Sequence, residues 1–203
     1  SWKIPHTEIS EEIKQLFAAI KTKNISQIRS LLNRRLDLNV FDDVNNTTPL
    51  IFAIDYGSLD IVKLITAAGA NLDFGPRFTA LHIAIRQKKQ EIIDFLIQSG
   101  CDVNSLSSEH ETPIYEAIRS ADLKLVQLLV SNGAEINVLN SNSMSPLYIA
   151  IGRRNIPIVK YLLGAGADPN GNGLPCLKLA QKSKDIQLIN ILTDSGAKQL
   201  ARK

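Results

Sequence analysis

The sequence predicts an all-α solenoid of about six helix-turn-helix units joined by short β-hairpin-like loops. Three observations predict it. Gly followed by Ala or Cys recurs at Gly69, Gly100, Gly133, Gly166 and Gly196, at intervals of 31, 33, 33 and 30 residues. Twenty-one residues before each glycine stands Thr48, Thr79, Thr112, Ser145 or Pro175, opening "TPLIFA", "TALHIA", "TPIYEA", "SPLYIA" and "PCLKLA". No single copy could bury its own apolar face, so the copies must stack in line.

Each element has a local reason. A Thr or Ser hydroxyl can cap free backbone N–H groups, and Pro fits the first helical turn, as at Thr48-Pro49, Thr112-Pro113 and Ser145-Pro146. Five residues on, Ala53, Ala84, Ala117, Ala150 and Ala180 are small enough for neighbouring helices to approach. A second apolar helix follows in "IVKLI", "IIDFL", "LVQLL", "IVKYLL" and "LINIL". The glycine after it suits a left-handed helix end, and "NLD", "DVN", "EIN" or "DPN" begins an extended loop. Carried backwards, the register puts Lys14 at the Thr position and Arg35 at the Gly position, adding a degenerate first copy. Copies then start near 14, 48, 79, 112, 145 and 175. An extension of 1–10, a repeat domain of 11–198 and a tail of 199–203 complete the division.

The period and the phrases "TPLxxA", "TALHIA" and "GADxN" resemble the ankyrin repeat. The resemblance covers roughly residues 11 to 198. It implies a protein-interaction scaffold shaped like a cupped hand, with loop tips as fingers and first helices as palm. It further implies a structural histidine at the fourth phrase position, which here is His82 alone, against Phe17, Ile51, Tyr115, Tyr148 and Lys178. Asn39, Asn104, Asn137 and Asn170, each two residues after an acid and eight after a leucine, are similar to asparaginyl hydroxylation sites of animal ankyrin proteins. An Asn satisfying loop backbone groups explains the same recurrence.

Composition fits this reading. Of 203 residues 44% are apolar, 21% charged and 5% aromatic, so the core must be Leu, Ile, Val and Ala. A net charge of +3 does not point to nucleic acid. Cys101 and Cys176 have no metal-ligand spacing and no adjacent base, and read as packed small residues in a reducing, intracellular setting. Cytoplasm or nucleus fits, or host cytosol if the chain is a bacterial effector. No apolar run approaches a membrane span, and "SWKIPHTEIS" is not a signal peptide. The missing initiator Met suggests a segment of something larger. Trp2 reads either as packing on the solenoid end or as part of a neighbouring segment. Lys178, Lys182, Lys184, Gln187 and Asn190 read as the polar cap of the last copy.

The glycines fall at helix ends, so they are not a phosphate-cradling loop, and Gly171 to Gly173 reads as a turn. With no catalytic set, cofactor or metal site indicated, the surface must carry function. The palm positions, two to four residues after each Ala, hold Lys21 and Lys23, Asp55 and Tyr56, Arg86 to Lys88 (with Gln87), Arg119, Arg153 and Arg154, and Lys182 and Lys184. Helix-end cations also complement the dipole. The fingers add Phe41, Phe74, Phe78, Leu106, Glu111, Leu139, Met144 and Leu174. Large apolar residues beside Arg are typical of binding hot spots. We therefore expect a non-enzymatic interaction module for a protein or peptide with acidic and apolar residues. It would be contacted by Asp55, Tyr56, Phe78, Arg86, Gln87, Lys88, Leu106, Glu111, Arg119, Leu139, Met144, Arg153 and Arg154. The alternative is a regulatory domain of a larger enzyme or channel, binding a nucleotide or other small anion.

Overall fold

The computed structural model describes residues 9–42, 46–171 and 173–198. Trp2, most of the 1–10 extension and the 199–203 tail lie outside the described residues. Twelve helices in six pairs, with no strand among the described residues, make an all-α repeat solenoid. One bridge, Asp42 to Thr47, gives a loop its hairpin character. The chain divides into two compact units, one ending at Asp102 and one starting at Val103.

The first unit pairs α1 (Glu11–Lys21) with α2 (Ile25–Leu32), α3 (Pro49–Tyr56) with α4 (Leu59–Ala67), and α5 (Ala80–Arg86) with α6 (Gln90–Gln98). First helices pack on first helices, α1 on α3 and α3 on α5, and second helices likewise. The interior is aliphatic, with Leu16, Ile20, Leu50, Ile54, Leu81 and Ile85 fully buried. α1 keeps the expected register, with Arg35 in the left-handed region at the glycine position and Ala19 buried at the alanine position, but it is longer at its start. It begins three residues before Lys14, because Ser10 accepts from the Ile13 amide and Glu11 and Glu12 favour the positive helix end.

The second unit pairs α7 (Pro113–Arg119) with α8 (Leu123–Ser131), α9 (Pro146–Gly152) with α10 (Ile156–Gly164), and α11 (Cys176–Lys182) with α12 (Ile186–Asp194). In both units the phrase alanines are 1% exposed or less, which leaves no room for a larger side chain there. The expected polar residues of the last copy, Lys178, Lys182, Lys184, Gln187 and Asn190, are all exposed.

Caps follow the sequence in part. Thr48 and Ser145 accept from the amides of Ile51 and Tyr148 at 3.2 and 3.1 Å. The Thr112 hydroxyl, expected to do the same, is buried and makes no hydrogen bond. Thr79 and His82 cap α5 reciprocally: the Thr79 side chain accepts from the His82 amide, the Thr79 amide donates to Nδ1 at 3.3 Å, and the Thr79 hydroxyl lies 2.8 Å from the same atom. Fully buried, His82 is a capping residue of α5. Tyr115 at the equivalent position donates to the carbonyls of Val138 and Met144, both at 2.7 Å, tying α7 to the next hairpin.

The loop asparagines satisfy backbone groups of the following copy. Asn104 donates to Gly133 and accepts from the Glu135 amide; Asn137 and Asn170 repeat this with Gly166 and Asp168, and with Gly196 and Lys198. Asn39 accepts from Asn71.

The turn inside each copy brings a feature the sequence did not announce. Lys23, Lys88, Ala121, Arg154 and Lys184 sit there with φ between 54° and 58°, the left-handed region. Only the second copy has a glycine, Gly57, and there φ is −85°. A β-carbon on it would stand 2.6 Å from the Ala53 carbonyl, so Gly57 serves close approach and lets α3 run on to Tyr56. Ala121 is exposed and carries only a methyl group into an unfavourable conformation. Ala121→Gly should therefore raise stability by about 1 kcal/mol, read from the urea midpoint at constant m-value.

Candidate functional site

In the first unit, the C-terminal turns of α3 and α5 meet. Gln87 Nε2 donates to Asp55 Oδ1. Lys89, the residue before α6, reaches back to the carbonyls of Ile54 and Asp55, placing a cation on the negative end of α3. Burial holds the Lys89 pKa below its ordinary value; Asp55 opposes that shift and Lys23 adds to it. Tyr56 is half exposed and leans on Phe52 at 4.5 Å, which meets Phe17 edge-on at 4.8 Å. Arg86 stacks its guanidinium 4.0 Å from the centre of the half-buried Phe78 ring, with Arg77 at 5.9 Å. Two guanidinium groups thus attend one aromatic ring, a geometry in which the ring holds the cation by its quadrupole. Arg86, Gln87 and Lys88 are exposed. Lys88 leaves from the turn rather than from a helix end.

The second unit treats its expected contact residues differently. Glu111, expected on a protruding finger, is buried at 3% exposure. Both its oxygens take Arg119 N–H groups at 2.5 Å, and Oε1 also takes the Asn140 amide at 2.7 Å. Glu116 lies 3.6 Å from the same guanidinium. The Glu111 hydrogen bond is the main reason the Arg119 pKa rises. The expectation that Glu111 and Arg119 face a partner is thereby corrected: a carboxylate cannot be buried unless a cation and donors surround it, and Arg119 is the cation in reach. Burial, with Glu111 beside it, pushes the Tyr115 phenol well above its ordinary range.

Arg154 is also committed. It lies in the turn, and its Nε and Nη2 bind Asp185 Oδ2 at 2.9 and 2.8 Å. Asp185 caps α12 through the Leu188 amide, and this bond, followed by Arg154, holds its pKa low. Arg153 is exposed. Of the finger residues, Leu106 is 53% exposed, whereas Leu139 and Met144 are half-buried. The Met144 amide donates to Asn140 and its carbonyl accepts from Tyr115, so its backbone is structural.

Three participants were absent from the sequence expectation: Arg77, Lys89 and Asn140. Arg77 could have been found as a second cation next to Phe78. Nothing in the sequence marks Asn140 as a ligand of Glu111, 29 residues away.

Both cysteines are buried thiols. Burial, aided by Asp73 and Asp102, pushes the Cys101 thiol up to about 12; burial pushes Cys176 up to about 11 despite a hydrogen bond with Ser145. Among the described residues there is no cluster of His, Cys, Asp or Glu able to hold a metal ion, and no helix long and apolar enough to cross a membrane.

The chain belongs to the ankyrin repeat family: the family model for ankyrin repeats matches residues 6–75, 69–140 and 114–203. Among similar proteins is human "SH3 and multiple ankyrin repeat domains protein 2", 31% identical over 54% of this chain and 6% of its own length. The mouse "B-cell lymphoma 3 protein homolog" is 34% identical over 51% of this chain and 24% of its own length. "Protein VAPYRIN-LIKE" of Medicago truncatula is 32% identical over 48% and 21%. The chain thus spans less than a quarter of the length of these three relatives. Ankyrin repeats are in general protein-interaction modules, and the family is typically non-enzymatic.

Removing Arg119 would leave Glu111 buried without its cation. Arg119→Ala should cost about 2–4 kcal/mol, less than a fully enclosed pair because Arg119 is 30% exposed. Arg153→Ala should stay within about 0.5 kcal/mol; chemical denaturation compares the two. The raised thiols carry a second expectation. The neutral thiol is the folded form, so its contribution holds below pH 9 and declines as pH rises towards 11–12. Iodoacetamide at pH 8 should alkylate the native protein at least about 100-fold more slowly than the urea-unfolded chain.

Proposed function

We propose that this chain is a non-enzymatic protein-interaction module whose first unit binds an acidic, apolar segment of a partner protein. The observation that carries the reading is the Phe78–Arg86 stack with Arg77 beside it. A guanidinium held over a ring has little side-chain entropy left to lose on binding. The exposed Lys88 and the half-exposed Tyr56 extend the same chemistry, and Asp55 and Gln87 are held in place by their mutual bond. In the second unit, Arg119 and Arg154 are bound to Glu111 and Asp185. Arg153, Leu106 and Leu139 are proposed as secondary contacts. Two buried free thiols fit a reducing, intracellular setting, which we propose as its location.

A nucleotide or other small anion is the other occupant those guanidinium groups could take. The face of Phe78 that a base would stack on is covered by Arg86 at 4.0 Å, which favours the peptide. Fluorescence anisotropy against peptides that pair aspartate or glutamate with leucine or phenylalanine tests the choice. Arg86→Ala should weaken binding about tenfold, as an interface Arg typically does, and flatten its salt dependence. Equal binding of acidic and neutral peptides, or an unaffected Arg86→Ala variant, would overturn the reading; competition by ATP would favour the nucleotide.

A further inference from the structure

We infer that the cleft beside the last hairpin binds one lysine side chain projecting from a partner protein. This goes beyond the acidic-segment reading: it lies in the second unit and selects the opposite charge.

The cleft arises from a length difference. Eight residues separate Gly166 from Pro175, where eleven separate Gly133 from Ser145. The shorter hairpin cannot fold over its neighbour, and a cavity of about 260 Å³ opens between them. One wall is set by backbone contacts. The Leu174 amide donates to the Ser143 carbonyl at 2.8 Å. Gly173 sits so close that a β-carbon would stand 2.7 Å from Leu139 Cδ2 and 2.8 Å from that carbonyl. Leu139, Leu174 and Pro169 give the cleft apolar sides. The volume falls below the range of pockets that enclose a whole drug-sized ligand, and suits one side chain.

The polar groups select the tip of that side chain. Asn137 is occupied at both ends, by Gly166 and Asp168, and Ser145 accepts from Tyr148. Cys176 stays an uncharged thiol, its pKa raised by burial and, to a smaller extent, by the Asp168 charge. Among the described residues Asp168 is the one charged group lining the cleft, and it is exposed. Its Oδ1 takes the Asn170 amide at 2.8 Å; Oδ2 lies on the Gly171 side, 3.6 Å from where a β-carbon would stand there. One carboxylate oxygen in a cleft that also holds Leu139, Pro169 and Leu174 matches an ammonium on a four-carbon stem. A guanidinium would want both oxygens for its paired N–H groups. A purely apolar side chain would desolvate the carboxylate without compensation.

The test is NMR titration of the ¹⁵N-labelled chain with Nα-acetyl-lysine methylamide and, separately, its norleucine counterpart, which keeps the stem and lacks the ammonium. The lysine probe should give saturable shifts at the amides of Asp168, Gly171 and Gly173, with norleucine about three- to fivefold weaker, the size of an exposed ion pair. Asp168→Asn, which keeps the acceptor for Asn170, should abolish that preference. Gly171→Leu, at a position whose β-carbon meets nothing closer than 3.6 Å, should block the cleft and remove the shifts while leaving Asp168 in place. Equal binding of the two probes, preference surviving in Asp168→Asn, binding surviving in Gly171→Leu, or no saturable shift would overturn the inference. Arg86→Ala should leave this titration unchanged, so its failure is separate from failure of the acidic-segment reading.

Discussion

One loop side chain per copy reaches the backbone of the next copy, and the placement of the hairpins depends on it. Asn104, Asn137 and Asn170 each donate to the carbonyl of the following C-terminal glycine and accept from an amide two residues beyond it. An amide side chain can do both at once. Asp73, at the same position of the second copy, can only accept, and it takes the Asp102 amide at 3.0 Å. These bonds satisfy loop backbone that would otherwise turn to water. They also fix where each hairpin departs, and so which finger residues stand clear and which fold inward.

Charge distribution follows from that framework. The palm positions of both units carry cations, yet the units use them differently. Glu111 sits at the base of a hairpin that turns inward, and burial forces it to recruit Arg119 and Asn140. Asp185 stands at a helix N-cap beside the turn holding Arg154. Arg86 has the half-buried Phe78 ring beneath it. A basic residue at one repeat position thus binds a buried carboxylate in one copy and stacks on a ring in another. The neighbour decides, not the position.

Hairpin length is a second source of individuality. The copies share the same helix pair, and the connections between them differ in length. The shortened last connection gathers Leu139, Leu174 and Asp168 around a cleft made by missing residues, and its Gly173 allows the close backbone approach that fixes one wall.

The sequence by itself determined the six copies, the helix pairs, the buried alanines, the structural role of His82 and the fate of the cysteines. All of these depend on spacing within one repeat, and local chemistry recurs with the repeat. The expected Thr112 cap failed, and α1 begins a turn ahead of Lys14 because Ser10 and its acidic successors cap it there. What only the tertiary structure decided was which palm and finger residues remain at the surface. Glu111 and Arg119, eight residues apart, meet because α7 and its preceding hairpin pack together; Asn140 joins them from the next copy. Such pairings depend on how hairpin, helix and neighbouring copy pack. They are fixed by desolvation, which makes a buried charge take the nearest partner, and no periodicity in the chain records which partner that is.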